Sequence, residues 1–447
     1  LTAVNFLDTK HERSYKQKLG TGEEGCMDTS AVEKSYALSR ERYAEIGVDT
    51  EQALETLGHI SISLHCWQGD DVRGFEASPA DLTGSGLAVT GGYPGKPRNV
   101  NELRQDLHRA LTLIPGRHRL NLHAIYGEFN GEPVERNALE PGNFRGWVEW
   151  AKQEGLKLDF NATCFSHPKA LSGFTLSHKE KDVRKYWIEH VKCCRKISAY
   201  IGRELKAACI HNLWIPDGSK DLPLDRWTHR ALLKESLDEI FDTEYSPSQM
   251  KDSLESKLFG IGSESYIVGS YEFYLGYAMS HGKMICLDLG HFHPTESVAD
   301  KISAVLQFSD ELLLHVSRGV RWDSDHVVIL NDEVRALTEE AVRGGCLERV
   351  HFALDYFDAS MNRVGAWVIG ARALLKGLLI ALLEPAAEMR RTEDGGDSFK
   401  CLALLERLKT LPFGAVWDQH CLRSGVPPSG RWHEEIADYE KKVLNKR

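Results

Sequence analysis

The chain has 447 residues, 42% of them hydrophobic and 27% charged, which is ample material for a core and fits one large barrel or two to three ordinary domains. Its net charge of −10 gives no basic face for nucleic acid, so no nucleic-acid partner is expected. No run of about 18 apolar residues stands out, so no membrane span is expected either.

Residues 1–28 open with "LTAVNFLDTKHERSYKQK", which lacks the basic-then-apolar plan of a secretory signal. Ten cysteines without framework spacing read as reduced, buried thiols of a cytoplasmic protein. Helical periodicity begins at "TSAVEKSYALSRERYAEIGVDTEQALETL" (29–57). A repeated unit follows, in which a short apolar run precedes a longer helical stretch. The predicted strands are 60–67, 118–126, 156–164, 205–214, 253–260, 283–290, 311–317 and 349–357. Helical patterns such as 99–114, 143–155 and 181–202 separate them.

Strand alternating with helix implies parallel pairing, because a parallel neighbour is reached only through a crossover. Eight such units close most simply into an α/β fold of the (β/α)8 TIM-barrel kind, with a doubly wound sheet as the rival. The expected organisation is an N-terminal helical segment (1–58), the barrel (59–385) and a C-terminal helical arm (386–447) that serves as an oligomer contact. Within the arm, 391–398 reads as a loop.

Barrel chemistry gathers at the carboxyl ends of the strands. There the chain places His65 and Trp67, His123, Asn161 and Phe165, His211, Asn212 and Trp214, Glu255 and Lys257, Asp288 and His291, His315, and Asp355. Ionisable residues inside apolar runs are rarely buried unless paired or bound to metal. Glu255, Asp288, His315 and Asp355 could hold one ion; His291, Asp323 and Asp325 could hold a second, with Asp288 near enough to bridge. Mixed carboxylate and imidazole ligands suit Mn²⁺, Co²⁺, Zn²⁺ or Mg²⁺ and argue against copper or thiolate-bound zinc. Trp67, Trp214 and Phe165 are either core or the aromatic walls that a sugar's C–H faces need. Asp70, Asp71 and Arg73 are either a surface turn or part of the mouth. His293, His326 and His351 read as bystanders, and the glycines of 83–99 as a long barrel loop without phosphate-binding order.

Several segments resemble a known family. "CWQGDDVRGFE" (66–76), "NLHAIYGE" (121–128), "DFNATCFSHP" (159–168) and "HNLWIPDGSKD" (211–221) are similar to signature segments of the L-rhamnose isomerases. So are "LESKLFGIGSESYIVGSYEFYLGYA" (254–278), "LDLGHFHPTE" (287–296), "RGVRWDSDHVV" (318–328) and "FALDYFDASMNR" (352–363). The resemblance implies a cytoplasmic, metal-dependent aldose–ketose isomerase, a homotetramer, converting L-rhamnose to L-rhamnulose. It assigns Glu255, Asp288, His315 and Asp355 to a structural or substrate-holding ion, and His291, Asp323 and Asp325 to a catalytic ion, with Mn²⁺ preferred. It places Lys257 at the sugar oxygen on C1, His123 against the substrate, and Trp67 and Trp214 as walls. The implied chemistry is a hydride shift from C2 to C1, with Lys257, Asp325 and Asp355 as the catalytic side chains. An enediol route, action on another aldose, a phosphodiester hydrolase on the same barrel, and a non-catalytic sugar-binding barrel are the alternatives. The acidic balance counts against the hydrolase, and the intact ligand series counts against the last.

Overall fold

The structure, a computed structural model, describes residues 29–76, 89, 91–129, 131–320 and 323–447, without the side chains of 323–325. Residues 1–28 and most of the glycine loop lie outside it. Two compact units divide the described residues: residues 55–382 with 433–447, and residues 29–54 with 383–432.

In the larger unit, eight parallel strands form a closed barrel, each hydrogen-bonded to its chain neighbours and the last to the first. They are β1 (Ile62–His65), β2 (Arg119–His123), β3 (Lys157–Asn161), β4 (Cys209–Leu213), β5 (Met250–Glu255), β6 (Met284–Asp288), β7 (Leu312–Val316) and β8 (Val350–Leu354). All eight predicted strands are present, and the doubly wound alternative is excluded because the sheet has no edge. Ile210, Met284, Cys286, Leu313 and Ala353, from β4, β6, β7 and β8, fill the interior below the mouth.

One strand is displaced from its expected position: β5 starts at Met250 and ends at Glu255, rather than spanning 253–260. Asp252 explains the misreading. It looks like a loop residue but is buried, accepting from Arg195 Nε at 3.0 Å and Nη2 at 2.9 Å, with His211 Nδ1 at 3.1 Å from the same carboxylate. Arg195 also donates to the carbonyls of Ile240 and Thr243. Removing either partner of such a buried pair costs about 3–5 kcal/mol, so this cluster pins the helix Lys181–Leu205 onto β5.

Helices start where short polar side chains can satisfy free N–H groups. Asn99 accepts from Glu102 N at 3.0 Å, Asp225 from Thr228 N at 2.9 Å and Asn331 from Val334 N at 3.0 Å. Among the described residues, the helix Arg363–Leu382 is the part to test against the expectation of no membrane span. It has the length and hydropathy of a span, but 83% of that window is buried within the protein. A helix apolar on all sides is a core helix when its neighbours cover it; here it packs against Val100–Leu111 and Asp332–Arg343.

In the smaller unit, the helices Thr29–Ala44 and Phe413–Arg423 pack together. Tyr36 donates to Glu51 at 2.7 Å, and Arg423 donates to the same carboxylate at 2.7 and 2.9 Å. The predicted loop at 391–398 is half helix: Ala386–Asp394 continues through it and ends at Gly395–Gly396, where Gly396 has φ +72°.

Candidate functional site

Every strand of the barrel delivers its last inward-facing residues to one mouth, and these divide into two arcs. Residues following β1 to β4, together with the turn after β6, form an aromatic arc. Trp67 meets His123 at 4.7 Å between ring centroids, His123 meets Phe165 at 5.4 Å, Phe165 meets Trp214 at 5.7 Å, and Trp214 stacks towards His291 at 6.4 Å. The first three contacts are edge-to-face, the geometry aromatic quadrupoles favour. Trp67 and Phe165 are each 2% exposed, so they serve as wall and core at once. Lys257 Nζ lies 4.8 Å from the Trp214 ring centroid, at the end of this arc.

The opposite arc, from β5 to β8, carries the ionisable residues. Glu255, Asp288, His315 and Asp355 bring one ligand atom each within 4.8 Å of one another. His315 Nδ1 faces Asp355 Oδ2 at 3.1 Å, Glu255 Oε2 at 3.4 Å and Asp288 Oδ2 at 3.7 Å. Protein donors hold the carboxylates in place. Trp67 Nε1 donates to Asp355 Oδ1 at 2.9 Å; Gly290 N and Ser317 Oγ donate to Asp288 Oδ1 at 2.6 and 3.3 Å. Both aspartates therefore keep their second oxygen turned toward the imidazole. Glu255 spans two histidines, with Oε1 at 3.0 Å from His291 Nδ1 and Oε2 taken by Asn212 Nδ2.

The electrostatics fit a site for a cation. Burial pushes Asp288 up to about 7, with the His291 charge opposing it. Burial also works against an ionised Glu255, but His315 and His291 outweigh it and hold that carboxyl well below the usual range. For His315, burial disfavours the charged ring, yet Cys286, Glu255 and Asp355 outweigh it and hold its pKa far above an ordinary histidine's. Three carboxylates around one imidazole stabilise added positive charge. The donor set of oxygen and imidazole nitrogen suits a hard or borderline divalent ion. Across the mouth, burial lowers His123 to about 4, leaving a neutral ring whose Nδ1 bonds Thr163 Oγ1 at 3.1 Å.

The structure thus brings together Glu255, Asp288, His315 and Asp355, with His291 and Lys257 beside them. Asp323 and Asp325 lie on the short strand Asp323–His326, which pairs antiparallel with Arg318–Val320; their side chains fall outside the described residues. Asp70 and Asp71 are neither a free turn nor ligands. Asp70 is buried, accepting from Tyr126 Oη and Gly74 N, while Arg363 donates to Asp71 at 2.8 Å from two nitrogens. They clamp a loop in which Asp71 and Val72 are held left-handed, with φ of 62° and 58°.

Sequence reasoning placed Trp67 and Asn212 at strand ends but not their pairings, the indole as donor to Asp355 and Asn212 as the partner of Glu255; Ser317 escaped it altogether. Since outer partners tune cation affinity about 10–100-fold, Trp67→Phe is expected to weaken Mn²⁺ binding within that range. Titration of the folded variant checks this; unchanged affinity would leave Trp67 as a wall alone.

A cavity of about 490 Å³ opens at the other, amino-terminal end of the barrel, lined by residues including Ser63, Arg119, Asp159 and His351. Its charges satisfy one another: Arg119 donates to Asp159 at 2.6 and 2.8 Å, and Ser63 donates there at 2.7 Å.

Comparison with known proteins agrees with the geometry. The L-rhamnose isomerase (RhaA) family model matches residues 30–447. L-rhamnose isomerase of Rhodopirellula baltica is 55% identical over 416 residues, covering 93% of this chain and 97% of that one. The Bacteroides thetaiotaomicron enzyme of that name is 54% identical, covering 93% and 99%. That of Escherichia coli O9:H4 is 53% identical over 419 residues, covering 94% and 100%. With its barrel closed, its ionisable cluster assembled and its length matched almost end to end, the chain belongs to the L-rhamnose isomerase family.

Proposed function

We propose that the chain isomerises L-rhamnose to L-rhamnulose by a hydride shift between C1 and C2, assisted by two divalent ions, preferably Mn²⁺. The carrying observation is the two-arc mouth: a carboxylate–imidazole cluster and an aromatic wall meet at the carboxyl ends of the strands. Glu255, Asp288, His315 and Asp355 would hold one ion, and His291, Asp323 and Asp325 the other. Bound divalent cations supply Lewis acidity, which makes a C2 hydroxyl more acidic and a C1 carbonyl more electrophilic.

The chain's own residues do the rest. The aromatic arc of Trp67, Phe165 and Trp214 takes the apolar faces of the sugar and excludes water. His123, neutral and anchored on Thr163, contacts a hydroxyl without competing for a proton. Lys257 offsets negative charge developing at the sugar's O1. A water beside Asp325 would shuttle the hydroxyl proton, and Asp355 keeps its geometry through Trp67.

The test is ketose formation from a panel of aldoses, using cation-stripped protein with single ions restored. L-rhamnose should give the highest kcat/KM. A different aldose in first place would keep the isomerase and change its substrate; no ketose from any aldose would overturn the reading.

We also propose a cytoplasmic homotetramer in which residues 386–447 contribute contacts. Light scattering is expected at about four times the 50.3 kDa chain mass. A fully active monomer would refute it.

A further inference from the structure

One ionisable side chain at this site has no part in the chemistry above. Cys286 lies on β6 two residues before Asp288, so both side chains point to the barrel interior. It is fully buried, and strand register sets it opposite Glu255. Its Sγ, a carboxylate oxygen of Glu255 and a ring nitrogen of His315 all lie within 4.8 Å of one another. His315 is 1% exposed, and neither of its ring nitrogens has a hydrogen-bond partner of good geometry. The oxygen-rich cluster therefore stands on a thiol floor and shares two of its ligands with it.

We propose that Glu255, Cys286 and His315 form a second, thiophilic binding mode for a soft divalent cation, Cd²⁺ or Zn²⁺, exclusive with the mode that uses Asp288 and Asp355. The inference rests on reading the carboxylate–imidazole cluster as an ion site. Sulfur ligands select soft ions, whereas carboxylates suit Mn²⁺ and Mg²⁺. Bonds of about 2.3 Å to sulfur and 2.0–2.1 Å to nitrogen set tetrahedral ligands about 3.5 Å apart, which small side-chain rotations reach from the observed spacing. The thiol proton leaves to solvent as the sulfur–cation bond forms, with no change of oxidation state. A soft cation seated there takes Glu255 and His315 away from the upper site, so it inhibits. Thiolate-bound zinc, which the carboxylate and imidazole ligands argue against in the sequence, becomes available through the fold.

The experiment uses full-length, cation-stripped protein titrated with Cd²⁺, read by the ultraviolet sulfur-to-cadmium charge-transfer band and by cadmium NMR. Mn²⁺ binding is followed in parallel by electron paramagnetic resonance. Wild type should show sulfur-bound cadmium and release prebound Mn²⁺ as Cd²⁺ is added. In Cys286→Ala that sulfur signal should be lost, and the Cd²⁺ needed to expel Mn²⁺ should rise about tenfold or more. If Cys286→Ala does not fold, the cadmium chemical shift in wild type decides, since sulfur ligation moves it far from the oxygen–nitrogen range. Mn²⁺ binding with sulfur-free cadmium, or an identical cadmium signal in Cys286→Ala, overturns this inference alone. Absence of Mn²⁺ binding in wild type overturns the ion-site reading and this inference with it.

Discussion

Stripping divalent cations from the protein is expected to abolish sugar turnover, and Mn²⁺ or Co²⁺ to restore it. The reason lies in what the cluster lacks. Its three carboxylates are oriented by Trp67, Asn212, Gly290 and Ser317, and none faces a lysine or arginine within ion-pairing distance among the described residues. Without a divalent cation it offers no Lewis acidity to the C1 and C2 oxygens. His291→Ala sharpens the test. This ring sits at the junction of the two arcs, 3.0 Å from Glu255 and stacked towards Trp214, with a side chain 17% exposed. Its loss should leave the barrel folded while kcat falls about 100-fold or more, beyond the range of an outer partner. Circular dichroism, cation content and kcat together check the expectation. Wild-type turnover in demonstrably cation-free protein would end the metal-dependent reading, and wild-type turnover in His291→Ala would mean a wrong histidine.

Replacing Lys257 by methionine is expected to lower kcat about 10²–10³-fold, the range seen when one preorganised stabiliser of a developing oxyanion is removed. Lys257 is 7% exposed, its ammonium lies over the Trp214 face, and Gly260 makes room for it. A Cβ at Gly260 would stand 2.4 Å from the lysine Cε. Methionine keeps the length and loses the charge, so cation binding should change far less than kcat. The same charge bears on how hydrogen moves. A hydride shift keeps the C2 hydrogen within the sugar, whereas an enediol route gives it to a base that exchanges with water. The carboxylates are committed to the ion cluster and are poor free bases. His123 is the other candidate base, but burial lowers it to about 4 and makes it a weak one. Substrate deuterated at C2 should therefore yield ketose with deuterium retained at C1, and turnover in D₂O should add almost none. Solvent deuterium in the product would replace the hydride mechanism with the enediol one and point to His123.

Much of the site could be read in the sequence because barrel geometry is periodic. Eight apolar runs separated by helical stretches admit few closures, and a residue at the end of such a run points into the mouth. Glu255, Asp288, His315 and Asp355 were legible for that reason. Strand-end placement also suggested the division into two ions; the family resemblance added the roles of those ions and of Lys257, which spacing alone did not carry.

What periodicity leaves open is which side chains meet across the barrel, because spacing along one strand says nothing about contacts with another. Trp67 and Asp355 are 288 residues apart, and only closure of β8 against β1 lets the indole orient that carboxylate. The start of β5 depended on Arg195, a helix residue that neutralises Asp252. Burial of Arg363–Leu382, apolar enough for a membrane, was decided by the neighbours that cover it. Cys286 read as inert until strand register set it against Glu255. Local pattern settled the elements and the face each presents; long-range pairing settled the electrostatics, because charge and hydrogen bonding depend on distance in space.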